Sequence, residues 1–249
     1  MRRELIEYLG RNVYDGKLIT EKFYYHWNNE EFDLPEQIKH FLKPFDYGKR
    51  DNGFNYSVSA FIKGCTEEKL HTLVDFALNE CNLSIDKKRF LKSFLSIADL
   101  HSDSHYDPIV SFKYNDGLIS GMSFYVTALK DKSLIIDYLE SVIQAFSLDR
   151  ITEIQDLINY CVQSRYSDMF QVSWDFAKQP QEQNKIYLKV KDLPNFLNTI
   201  KKDYPYLLDY IHIEGFRFCE LAFVINEAKL NMFNLYFKLK RSSCDRQVI

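Results

Sequence analysis

Three times along this chain, two runs of alternating apolar and polar residues flank a short turn. Between these hairpins lie stretches of helical periodicity, two at a time. The paired runs are residues 109–114 with 118–129, the two arms of 169–190, and 216–225 with 230–240. Parallel sheets need one crossover helix between single strands, and this chain lacks that rhythm. Hairpins separated by helix pairs instead build one antiparallel sheet with the helices on one side, and such a sheet can close on itself.

The hairpin at residues 169–190 shows the pattern best. Val172, Trp174 and Phe176 alternate with Gln171, Ser173 and Asp175; after a turn-rich connector, Ile186, Leu188 and Val190 alternate with Lys185, Tyr187 and Lys189. Successive strand residues face opposite sides, so one face is fatty and the other polar. In the hairpin before it, Asn115-Asp116-Gly117 supplies a strong turn signal. Residues 54–63 read as a further single strand. Thr66 is an N-cap, with Glu67 and Glu68 suited to the positive end of the helix dipole. That helix carries Leu70, Leu73, Val74, Ala77 and Leu78, and a second starts near Asp86 with Phe90, Leu91 and Phe94 inward. Further helices are expected from Asp131 or Ser133 to Phe146, from Ile151 to Val162, and on either side of Pro205.

The first fifty residues are the least legible. Residues 2–9 suggest a short helix, 22–27 a strand, 35–42 a helix and 46–53 a polar loop. A closed barrel must find its remaining strands here, or it is incomplete. The whole chain of 249 residues is expected to form one domain.

Composition excludes several classes. Hydrophobic residues make up 46% and charged residues 27%, enough for a large core and against disorder. With 8 Gly, no Walker or dinucleotide fingerprint is present. The net charge of −3 gives no reason to expect nucleic acid as a partner. Five scattered cysteines form no CxxC pair, which fits reduced thiols; Cys161 and Cys219 sit in apolar runs and read as core. The N-terminus lacks a signal-peptide core, and no apolar run approaches the ~20 residues of a bilayer crossing. The expectation is a cytoplasmic protein without a membrane partner.

The polar faces carry the functional signal. Second strands present Ser123, Tyr125 and Thr127; then Lys185, Tyr187 and Lys189; then Asn234, Tyr236, Lys238 and Lys240. First strands add Ser111 and Lys113, Ser173 and Asp175, and Glu220; the single strand adds Ser57, Ser59 and Lys63. Such faces suit a solvated sheet or the wet interior of a barrel. Tyr125 and Tyr236 also suit ordinary cross-strand packing, and Asp175 a turn cap or a pair with Lys185.

Lys185-Ile186-Tyr187-Leu188 and Asn234-Leu235-Tyr236-Phe237 resemble the K-x-Y and N-L-Y-F strands of aromatic prenyltransferases of the ABBA (PT-barrel) fold. The resemblance covers residues 54–241 in rhythm and a few residues per strand in motif. It implies an α+β protein, an antiparallel β-barrel of hairpins surrounded by helix pairs. It also implies transfer of an allylic isoprenyl group from its diphosphate to an aromatic small molecule or a peptide side chain, as in small bacterial peptide-modifying members. Lysines in an enclosed lumen would grip the diphosphate, tyrosine faces would shield the allyl cation, and a carboxylate would take the acceptor's proton. The diphosphate-binding set is then Lys63, Lys113, Lys185, Tyr187, Lys189, Arg217, Tyr236 and Lys238. The cation-shielding set is Tyr125, Tyr187 and Tyr236, and the catalytic carboxylates are Asp175 and Glu220. No cofactor is required, and magnesium is admissible as a counter-ion of the diphosphate.

Two rivals stand beside this reading. One is a non-catalytic binding or scaffold protein on a related helix-wrapped sheet. The other is a metal-dependent hydrolase using the loop of His101, Asp103, His105 and Asp107, whose His-x-Asp-x-His spacing offers nitrogen and oxygen ligands.

Overall fold

The computed structural model describes residues 5–27, 34–50, 56–98, 107–129, 169–178, 183–190, 193–226 and 229–240. Ten strands run in chain order around a closed antiparallel barrel. They are β1 (Leu5–Tyr14), β2 (Lys17–Trp27), β3 (Leu42–Arg50), β4 (Tyr56–Ile62), β5 (Ile109–Asn115), β6 (Leu118–Leu129), β7 (Met169–Ala177), β8 (Gln183–Lys189), β9 (Phe216–Asn226) and β10 (Lys229–Leu239). The ring closes where β1 pairs with β10, from Tyr8 opposite Lys238 to Val13 opposite Phe233. Closure removes the free edges that an open sheet would present.

The missing strands do come from the first fifty residues. The described part of the expected helix, residues 5–9, belongs to β1. The segment alternates Tyr8, Gly10 and Asn12 on the cavity side with Leu9, Arg11 and Val13 on the other, and β10 and β2 pair with both its edges. The polar loop expected after Asp46 is largely strand, because β3 runs to Arg50 and pairs with β2 and β4. Pairing on both sides overrides weak local propensity there. Residues 35–42 yield only a single 3₁₀ turn, Lys39–Phe41, before β3 begins.

Two hairpins turn on Asp-Gly. Asp15 and Gly16 have φ of 47° and 69°, Asp116 and Gly117 of 50° and 77°. Two consecutive positive φ angles are what a type I′ turn demands, and its twist matches the flanking strands.

Outside the wall lie α1 (Glu67–Asn79), α2 (Lys87–Ala98), α3 (Leu193–Asp203) and the short α4 (Leu208–Ile211). Thr66 caps α1 as expected, its hydroxyl accepting from the Lys69 backbone N–H at 3.3 Å. The core is the layer between these helices and the outward face of the strands. Phe90 of α2 meets Phe124 at 4.9 Å, Phe176 at 5.1 Å and Trp174 at 5.8 Å between ring centroids. Phe76 of α1 meets Phe112 edge-on, and Phe196 of α3 stacks on Phe218. The fatty strand faces therefore point outward to the helices, leaving the polar faces to line the lumen. The helices expected at 131–146 and 151–162 lie outside the described residues.

Candidate functional site

The lumen holds a cavity of about 690 Å³. Its wall includes Lys113, Tyr125, Lys185, Tyr187, Glu220 and Tyr236, all singled out from the sequence.

Cross-strand register places a cationic group in one part of the wall. Ser123 stands opposite Asp175, and Ser173 opposite Lys185. The Asp175 carboxylate forms ion pairs with Lys185 and, at 3.4 Å, with Lys113. Lys113 reaches it across the intervening strand β6, where its cross-strand partner is Gly121. A Cβ on Gly121 would lie 2.8 Å from the Phe176 carbonyl oxygen and 3.5 Å from Lys113 Cδ. Glycine thus leaves the floor over which Lys113 lies. Burial opposes the charge on Asp175, but Lys113 and Lys185 outweigh it and hold the carboxyl well below the usual carboxylate range. Burial likewise opposes the Lys185 charge, and Asp175 outweighs it, so the ammonium persists above its ordinary range.

Tyrosines form a row beside this group. Tyr125 and Tyr187 have centroids 6.3 Å apart, and Tyr187 and Tyr236 stack at 6.3 Å with 29° between planes. Burial raises all three phenols, Tyr125 to about 12, so they stay neutral at physiological pH. The row extends toward Tyr24 over Gly10, where a Cβ would fall 2.7 Å from the Tyr24 ring and 3.6 Å from Tyr236.

A bulge shapes the third group. Tyr236 pairs with Glu220 but Phe237 with Phe218, so Cys219 is the extra residue. The offset lets Phe218 face the core while Cys219 and Glu220 both line the cavity. Cys219 is therefore not the core residue its apolar run suggested; its thiol donates to the Tyr236 carbonyl at 3.3 Å. Burial pushes that thiol up to about 12, which keeps it a weak nucleophile. Burial also pushes the Glu220 carboxyl up to about 7, with Lys189 pulling the other way.

Lys63, Asp175, Lys189, Arg217 and Lys238 are not among the residues that line the cavity; Asp175 is buried and meets it only through its ion pairs with Lys113 and Lys185. Lys63 follows β4 at its exposed end, where its carbonyl accepts from Lys69. Lys189 and Arg217 are exposed at strand ends, and Lys238 is half-buried opposite Arg217. Gly48, Tyr56 and Tyr114 line the lumen without having been singled out, and Tyr8, Asn12, Lys22 and Tyr24, all on β1 and β2, were likewise missed in the sequence. The Asp15-Gly16 step was the signal that could have found the last four.

Asp107 accepts a hydrogen bond from the Gly64 backbone N–H at 3.1 Å, a structural link between loops. His101, Asp103 and His105 lie outside the described residues. Among the described residues, no group of three or more His, Cys, Asp or Glu is arranged to hold a metal, and no helix is long and apolar enough to cross a membrane. No protein-family model matches the chain, and comparison with curated proteins finds no match.

Proposed function

We propose that this chain transfers an allylic isoprenyl group from its diphosphate to an electron-rich acceptor, on a barrel of the ABBA (PT-barrel) type. The observation that carries the reading is one cavity inside a closed strand ring, lined together by Lys113, Lys185, Tyr125, Tyr187 and Tyr236. The ABBA assignment draws support from ten consecutive antiparallel strands with α1–α2 between β4 and β5 and α3 between β8 and β9.

In this reading Lys113 and Lys185 bind the diphosphate through charge-assisted hydrogen bonds. The bond from allylic C1 to the diphosphate oxygen breaks, and the electron pair leaves with the diphosphate. The tyrosine faces shield the allyl cation from water until the acceptor forms the new bond. The proton that the acceptor loses goes to Glu220. A carboxyl poised near 7 suits that task, whereas Asp175, held strongly ionised, is a poor base and serves as a positioning residue for the two lysines. Asp175, ion-paired to both lysines, would not be the residue to hold a magnesium ion in this scheme.

Calorimetric titration with dimethylallyl S-thiolodiphosphate tests the proposal. Binding should weaken by more than about ten-fold in Lys185→Ala, the loss of one charge-assisted contact. Failure of the wild-type protein to bind any allylic diphosphate would overturn it. The second reading, a non-catalytic anion binder, draws on Asp175 as a built-in counter-ion for the lysines. It predicts binding without prenylated product in mass spectra over a panel of aromatic and peptide acceptors.

A further inference from the structure

One row of the lumen has no task in allyl transfer. Asn12 on β1 and Asn234 on β10 are cross-strand partners, and both line the cavity. On the other side of Asn234 stands Ala222 of β9, and beyond it Tyr187 of β8. Two carboxamides, a fully buried alanine and an aromatic ring thus follow one another in register around the barrel. Asn234 is 6% exposed. Its Nδ2 donates to the Tyr236 hydroxyl at 3.4 Å, but its Oδ1 has no hydrogen-bond partner among the described residues.

A buried acceptor left unmatched on a cavity wall points to a donor brought by a ligand. The chemistry of that ligand follows from the pair. Carboxamides carry no charge, and each offers a donor beside an acceptor. Their complement is a neutral group with an N–H next to a C=O. The row also adjoins the Glu220–Tyr236 pair, one inward position along β9 and β10.

We propose that Asn12 and Asn234 form an amide-recognising subsite that seats the acceptor by a peptide-type or cyclic amide and presents its ring to Glu220 and Tyr236. The word acceptor rests on the allyl-transfer reading; recognition of an amide does not.

The test compares ligands that share a ring and differ in the amide. Calorimetry with N-acetyl-L-tryptophanamide and 3-methylindole, and with N-acetyl-L-tyrosinamide and 4-methylphenol, should show the amide member of each pair binding about ten-fold more tightly, the effect of one or two hydrogen bonds. Uracil, a cyclic amide without a peptide backbone, forms a separate arm. Asn234→Leu should erase the difference and leave the ring-only compounds unchanged. Asn12→Leu, at a half-buried position, repeats the test should Asn234→Leu fail to fold. Asparagine-dependent binding of the peptide amides assigns a peptide source, and of uracil alone a cyclic one; both support the subsite. Equal affinity within each pair without uracil binding, or discrimination that survives both substitutions, overturns it. Loss of thiolodiphosphate binding with amide discrimination intact would remove allyl transfer and leave this subsite standing.

Discussion

Asp175 illustrates how much one side chain decides here. It is buried between two lysines, and it stands in ion pairs with both. Breaking a buried pair leaves uncompensated charge and typically costs about 3–5 kcal/mol. Asp175→Asn should therefore lower stability by that order in urea denaturation, while the double variant Asp175→Asn/Lys185→Met recovers much of it. The same single substitution raises the lumen's charge by one, so inorganic diphosphate should bind it more tightly than wild type. Glu220 gives the opposite kind of signature. Its folded pKa lies above the unfolded value, so the folded state holds the extra proton between about 4.5 and about 7. Stability contributed by Glu220 is then fully present below about 4.5 and is lost as pH rises from there through about 7. Glu220→Gln should remove this slope and gain on the order of 2 kcal/mol relative to wild type at pH 8. Equal pH dependence of the two proteins in thermal melts would contradict the assignment.

At the scale of the strand, two glycines make room for the chemistry, and they differ in what they spare. A methyl at Gly121 meets a backbone oxygen, which only movement of β6 against β7 relieves. A methyl at Gly10 meets the Tyr24 ring, which can swing away. Gly121→Ala should thus cost about 1–3 kcal/mol by overpacking. Gly10→Ala should cost less but alter the quenching of tyrosine fluorescence in the lumen. The reverse order of stability losses would mean that the close approach at Gly121 is not constraining. The bulge at Cys219 is a similar device, since one extra residue turns Phe218 to the core and aims Glu220 inward. Its apolar run made Cys219 read as core, and the bulge that turns it to the cavity leaves no mark in the hydrophobic pattern.

For the whole molecule, closure is the decisive property. If β1 and β10 form a true seam, the backbone amides from Leu9 to Val13 should exchange with deuterium about as slowly as those of β5 and β6. Rapid exchange along the seam, with β5 and β6 protected, would show an open sheet and a solvated polar face. The lysines and tyrosines would then belong to a surface and not to a site. Closure also explains why β3 carries polar residues that read as loop: a strand that faces a wet lumen needs no strong apolar alternation.

The residues themselves determined the hairpins from β5 onward, the capped helix after Thr66, and which strand face is polar, because period-two and helical patterns with turn residues are local. Lys113, Asp175, Lys185 and Tyr236 were legible as one-sided strand residues for the same reason. Their meeting was not. Whether a polar face looks into water or into a shared cavity depends on β1 reaching β10, more than two hundred residues away. That contact, the bulge at Cys219 and the row of Asn12 with Asn234 are set by long-range register, which no local pattern encodes.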